Sequence, residues 1–285
     1  MNGAAEATPT RLGAITGELA KLPAFWRRDL LEAWSYRTVF FSDIAGLLVE
    51  LVTFYFVGRM INPDVLPQFG GKDTSYVEFV AVGIALNIFL TVGFARVAGA
   101  IRQEQYKGTL ESLLMTPTAL ATIQLGSVVY DLFYIPLRTV VFLFAVWLVF
   151  GVGLDLGGLA PVCAMMLAFI PFAWGLGLVS AASALTFRGA GVGFGILTTV
   201  MTLSSGAYFP LDLLPGWLTT IAEANPLAIV IQGGREALLG GVGWSEVPGK
   251  VAILLPSSAV ALGLGVVAFR VALERERRRG TLSLY

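Results

Sequence analysis

Residues 159–187 read LAPVCAMMLAFIPFAWGLGLVSAASALTF, and after Arg188 residues 189–209 read GAGVGFGILTTVMTLSSGAYF; neither run contains a charged side chain. A helix rises about 1.5 Å per residue, so a hydrocarbon core of about 30 Å needs roughly 20 mostly apolar residues. Both runs reach that length, and the very short turn at Arg188 makes them neighbouring spans. Outward from this pair lie four further runs of the same kind, at 38–61, 77–101, 122–150 and 247–273. The expected fold is an all-α integral membrane protein with six transmembrane helices. The stretch between the last two spans, 210–246, is too apolar for a solvated loop.

Composition agrees. Hydrophobic residues make up 56% of the chain and charged residues 13%, against roughly 25% charged in soluble proteins, and the mean hydropathy is +0.78. The 19 Lys and Arg balance 19 Asp and Glu, which leaves no basic field for a nucleic-acid partner. There is no histidine and one cysteine, Cys163. That excludes an intramolecular disulfide, a Cys/His metal site and a Ser-His or Cys-His nucleophile pair. Cys163 itself sits in an apolar run and reads as a small core residue.

Cytoplasmic flanks of spans are enriched in Lys and Arg. Arg11, Lys21, Arg27, Arg28 and Arg37 precede the first span, Arg102 and Lys107 follow the second, Arg188 follows the fourth, and Arg270, Arg275, Arg277, Arg278 and Arg279 mark the end of the sixth. Lys72, Arg235 and Lys250 fall on the other side. Both termini are therefore expected in the cytoplasm, with residues 1–21 a flexible N-terminal segment. Trp26, Leu30 and Trp34 recur at a spacing of four, with Arg28, Asp29, Glu32 and Ser35 mostly opposite, which suits an interfacial helix lying in the headgroup layer. Gly175, Gly177, Gly189, Gly193 and Gly195 would let spans four and five approach closely.

Two stretches carry the functional reading. After span two comes Glu104-Gln105-Tyr106-Lys107-Gly108-Thr109-Leu110-Glu111-Ser112-Leu113-Leu114-Met115-Thr116-Pro117, a short amphipathic helix closed by proline. Between spans five and six come Phe209-Pro210, Leu214-Pro215-Gly216-Trp217 and Asn225-Pro226-Leu227. Those prolines break the helix while Leu213, Leu214, Trp217, Leu218 and Ile221 stay apolar, as in an outer re-entrant helical hairpin.

Together the two stretches resemble the ABC-2 family of transporter permeases, the membrane subunits of many bacterial exporters. The resemblance matches Glu104, Gly108, Thr109, Leu110, Glu111, Leu113, Leu114 and Thr116 to the family's cytoplasmic motif, and Phe209, Pro210, Leu214, Pro215, Asn225 and Pro226 to its outer one. It covers residues 22–285 as one ABC-2 type transmembrane domain. It implies that 104–116 is a coupling helix docking on an ATP-binding subunit, present in two copies. It also implies that 209–227, with Trp217, closes an outer gate, and that two permeases pair, a homodimer being expected. The chain would be a non-catalytic subunit of the bacterial inner membrane, moving an amphipathic, lipid-linked or drug-like substrate outward. No cofactor is expected in this chain, since the nearest approach to a phosphate-binding loop, Gly71-Lys72-Asp73, lacks the first glycine and the hydroxyl. ATP and Mg would be bound by the partner subunit.

Spans one and three each carry a pair of charges away from their ends. Asp43 and Glu50 are seven residues apart, as are Asp131 and Arg138, which places each pair on one helix face. Ionisable groups at such depth face the bundle interior or water, often paired. Counting from the cytoplasmic ends of the runs brings Glu50 and Arg138 together as the expected pair. The competing reading, a proton-coupled secondary transporter or channel, would use the same Asp43, Glu50, Asp131 and Arg138 as a relay.

Overall fold

The computed structural model describes residues 17, 20–61, 66–71, 73–106, 115, 122, 126, 128–186 and 190–279. Among them are nine α-helices: α1 (Leu22–Ser35), α2 (Arg37–Gly58), α3 (Tyr76–Tyr106), α4 (Asp131–Phe150), α5 (Leu159–Thr186), α6 (Ala190–Leu203), α7 (Gly216–Glu223), α8 (Pro226–Leu238) and α9 (Val247–Arg279). Two 3-10 turns, Leu156–Gly158 and Leu211–Leu213, lead into α5 and α7. Five helices are long and apolar enough to cross a bilayer: α2, α3, α4, α5 and α9.

Of the expected fifth span, the described part is α6, and it ends at Leu203 rather than at Phe209. The Ser204 and Ser205 hydroxyls donate back to the Met201 and Thr202 carbonyls, an alternative to continuing the helix. Gly206 then turns the chain with φ +72°, which only glycine adopts without strain. Helix α4 also starts later than the apolar run from Thr122. Thr122, Gly126 and residues 128–129 are helical, but Tyr130 is a turn and the regular helix begins at Asp131. At its far end Gly151, at φ 67°, caps α4 by donating its N–H to the Trp147 carbonyl.

Helix α5 is the centre of the bundle, lying against α9, α3, α8, α6 and α4. A Cβ on Gly265 of α9 would come within 2.9 Å of the Gly175 Cα, and one on Gly177 within 3.0 Å of the Phe94 carbonyl of α3. These glycines are what lets the backbones meet. The pairing differs from the one expected of the small residues: α5 uses its glycines against α9 and α3, while Gly193 and Gly195 of α6 face open space. Phe142, Phe169, Met165, Met166, Leu86 and Ile135 fill the core between the central helices.

Helix α1 packs on α4 through its aromatics, Phe25 over Gly126 and Trp26 edge-on to Phe133 at 6.0 Å. Trp34 is 72% exposed and Asp29 is buried, so the expected division into an apolar and a polar face is revised at Asp29. The Arg28 Nε donates to the Asp29 carboxylate at 2.9 Å, and that bond is what makes an inward carboxylate tolerable.

Candidate functional site

The first predicted site, the coupling stretch, falls mostly outside the described residues. Gly108, Thr109, Leu110, Glu111, Leu113, Leu114 and Thr116 lie there, Glu104 belongs to the last turns of α3, and Met115 is helical and exposed.

All four predicted intramembrane charges have partners, and the expected Glu50–Arg138 pair is not among them. An Arg138 Nη lies 3.3 Å from Asp43, Arg96 donates its Nε to the fully buried Asp131 at 3.0 Å, and Glu50 accepts from the Tyr208 hydroxyl at 3.4 Å. Regular α4 begins at Asp131, so Arg138 is seven residues in, and Asp43 is six residues into α2. Both therefore sit about 10 Å along their helices. Arg96 went unnoticed as a partner, although it is a charge within an otherwise apolar run.

The predicted outer stretch forms a turn and two short helices. Pro210 is buried and Phe209 and Leu214 are half-buried, whereas Pro215 and Trp217 are exposed, Trp217 by 68%. Asn225 joins α7 to α8 and is buried. Its Nδ2 donates to the Met201 carbonyl at 2.7 Å and to the Ser204 hydroxyl at 3.0 Å, while its Oδ1 accepts from the Leu227 N–H and so caps α8. Pro226 occupies the first turn, where its missing N–H costs no helical bond. The motif residues Asn225-Pro226 thus tie the hairpin to the end of α6.

Around the hairpin, one elbow, residues 204–209, is held from three sides. The Tyr76 hydroxyl of α3 donates to the Tyr208 carbonyl at 2.9 Å. The Tyr208 ring stacks on Phe54 of α2 at 5.1 Å and its hydroxyl reaches Glu50 of the same helix. Arg235 of α8 donates to the Ala207 carbonyl at 2.9 Å. Arg235, expected as a charge flanking the spans, is buried, 2% exposed. The sequence signal is faint: Ile229 to Ile231, Gly233-Gly234 and Ala237-Leu238 are apolar or small, but Gln232 and Glu236 interrupt the run. Among the described residues no cluster of acidic or sulfur side chains could hold a metal ion.

The profile of the family described as ABC-2 type transporter matches residues 21–239. The chain belongs to that family. Among curated relatives, the chain is 26% identical to the Linearmycin resistance permease protein LnrN of Bacillus subtilis over 210 residues, 70% of this chain and 51% of the relative. It thus spans about half the length of that protein. It is 25% identical to the Daunorubicin resistance ABC transporter permease protein DrrB1 of Streptomyces coeruleorubidus over 265 residues, 87% of this chain and 86% of the relative. It is 26% identical to the Inner membrane transport permease YadH of Escherichia coli over 204 residues, 67% and 74% of the two chains.

Proposed function

We propose that this chain is the permease of an ABC exporter, carrying an amphipathic, lipid-linked or drug-like substrate outward through the bacterial inner membrane. The observation that carries the reading is the family match over 21–239, which contains both motif stretches and the outer hairpin. Permeases of this family work with ATP-binding subunits. ATP and Mg would be bound there, in two copies, against the segment 104–116 on the cytoplasmic side. The positive flanks support both termini lying on that side, and the run that contains α6 would be the fifth of six spans. Two copies of the permease would form the path. Two relatives bear drug-resistance names, which supports a drug-like or lipid-like cargo.

In this reading residues 209–227, from the end of the elbow through α7 to the start of α8, close the outer end of the path as a re-entrant element. The intramembrane charges are structural: Asp43 and Arg138, and Asp131 and Arg96, neutralise each other, as groups at such depth do when no relay uses them.

The coupling step tests the reading. Leu113→Asp puts an unpaired charge into the expected apolar contact with the ATP-binding subunit. Membrane insertion should be intact, and co-purification of that subunit should fall by about thirtyfold or more, with substrate-stimulated ATP hydrolysis lost alongside it. Transport that persists in reconstituted vesicles without any ATPase, driven by a pH gradient alone, would favour the secondary-transporter reading.

A further inference from the structure

Arg235 is the largest side chain among those fully buried in the described residues, and it is held in an unusual way. Its Nε donates to the Phe79 carbonyl at 3.1 Å and its Nη2 to the Ala207 carbonyl at 2.9 Å. The guanidinium carbon lies 3.5 Å from the centroid of the Phe79 ring. No carboxylate pairs with it among the described residues, whereas Arg96, Arg138 and Lys250 each have one. The charge is met by carbonyl dipoles and a π face alone.

The three groups come from three segments: the first turn of α3, the elbow after α6, and the last turn of α8. Room for the contact is made by Gly83, where a Cβ would come within 2.7 Å of the Arg235 Nη2 and would also strike the Ala207 carbonyl. Withdrawing the Ala207 carbonyl leaves a buried acceptor and a buried, charged N–H donor without each other, so the elbow leaves its seat only when the guanidinium lets go.

We infer that Arg235 is a positioning residue, a latch that docks the elbow 204–209 on α3 and α8, and that the elbow stays seated as long as the guanidinium holds the Ala207 carbonyl. The inference deepens the gate reading and rests on it for its meaning in transport; the latch itself is measured in the protein alone.

The test uses the full chain in lipid nanodiscs, with Cys163→Ala to remove the native thiol and a maleimide probe that reaches both faces. Ser205 is 1% exposed in the elbow, and Ser258 is equally buried where α9 meets α5, donating to the Ala168 carbonyl. Ser205→Cys and Ser258→Cys are the two reporters. Arg235→Gln should speed labelling at position 205 by about tenfold or more and leave position 258 unchanged. Gly83→Ala should do the same without touching the charge. Arg235→Lys should fail to restore protection, because an ammonium lacks the planar fork that spans two carbonyls while stacking on a ring. Equal acceleration at both reporters would make Arg235 a general packing residue and overturn the latch, as would no acceleration at 205 or full protection by lysine. If the latch holds but cross-linking the hairpin to α3 leaves transport unaffected, the gate reading fails and the latch stands.

Discussion

Helices α7 and α8 are the two arms of one hairpin, both apolar in sequence, and the bundle treats them in opposite ways. In α7, GWLTTIAE, the one buried residue is Ala222, and Trp217 and Ile221 are exposed. In α8, PLAIVIQGGREAL, nine residues are buried, from Leu227 to Leu238. Apolar content does not separate them. What separates them is the small residues Ala228, Gly233, Gly234 and Ala237, which let α5, α3 and the turn before α5 come close, and two polar anchors, Asn225 at one end and Arg235 at the other. Size and hydrogen bonding decide which apolar helix enters a bundle when lipid is available to both.

The difference can be broken most strongly at Gly158. It lies against the backbone of α8, where an added Cβ would come within 3.0 Å of the Leu238 nitrogen and closer still to the Ala237 carbonyl. Backbone cannot give way cheaply, so Gly158→Leu should cost about 3 kcal/mol, read as a fall of roughly 10 °C in the melting temperature of the detergent-solubilised protein. Gly193→Leu on α6, which meets nothing within 4 Å, should leave the melt unchanged. Similar losses at the two sites would show that added bulk anywhere in the bundle carries the cost, rather than contact with α8, since leucine favours a helix over glycine.

A middle effect is expected at the joint between the arms. Asn225→Leu keeps the volume but deletes the α8 cap and the bonds to the Met201 carbonyl and the Ser204 hydroxyl. A loss of about 1–3 kcal/mol should follow, a melting shift of roughly 5 °C. Asn225→Asp, which retains the acceptor for the Leu227 N–H but loses the donor, should fall lower than a cap-only account allows. An aspartate variant as stable as the parent would place the whole effect in the cap and loosen the tie to α6.

Much of this was legible beforehand, and the parts that were not share a physical cause. Apolar run length gave the long helices to within a few residues at most ends, because desolvating a 20-residue run dominates every competing local signal. Asn225-Pro226 read only as a break in the helix, although a cap residue followed by proline is also how a helix starts, as α8 does here. Ion-pair partners did not read, since they depend on which residues of neighbouring helices lie level with one another: Arg138 meets Asp43 rather than Glu50. Arg235 read as a flank charge because composition counts a cation without its surroundings, and only the three-dimensional meeting of Phe79, Gly83 and Ala207 shows it buried. The contrast between α7 and α8 was hidden for the same reason.

The smallest expected effect sits on the exposed arm and sharpens the comparison most. Trp217 is 68% exposed, and Ile221, one turn further along α7, is exposed on the same side. Such residues do not contribute to the packing of the chain, so Trp217→Ala should change stability by no more than about 0.5 kcal/mol and the melting temperature by about 2 °C or less. If α7 only floats at the membrane interface as an aromatic anchor, transport by the assembled exporter should be equally unaffected. In the gate reading it should not be: a large apolar ring on the arm least held by the bundle is the part free to meet cargo or a second permease, and its removal should lower the rate of substrate efflux from loaded vesicles while leaving the melt where it was. A loss of stability at Trp217 comparable to that at Asn225 would mean that α7 is packed as firmly as α8, and the asymmetry between the arms would be gone.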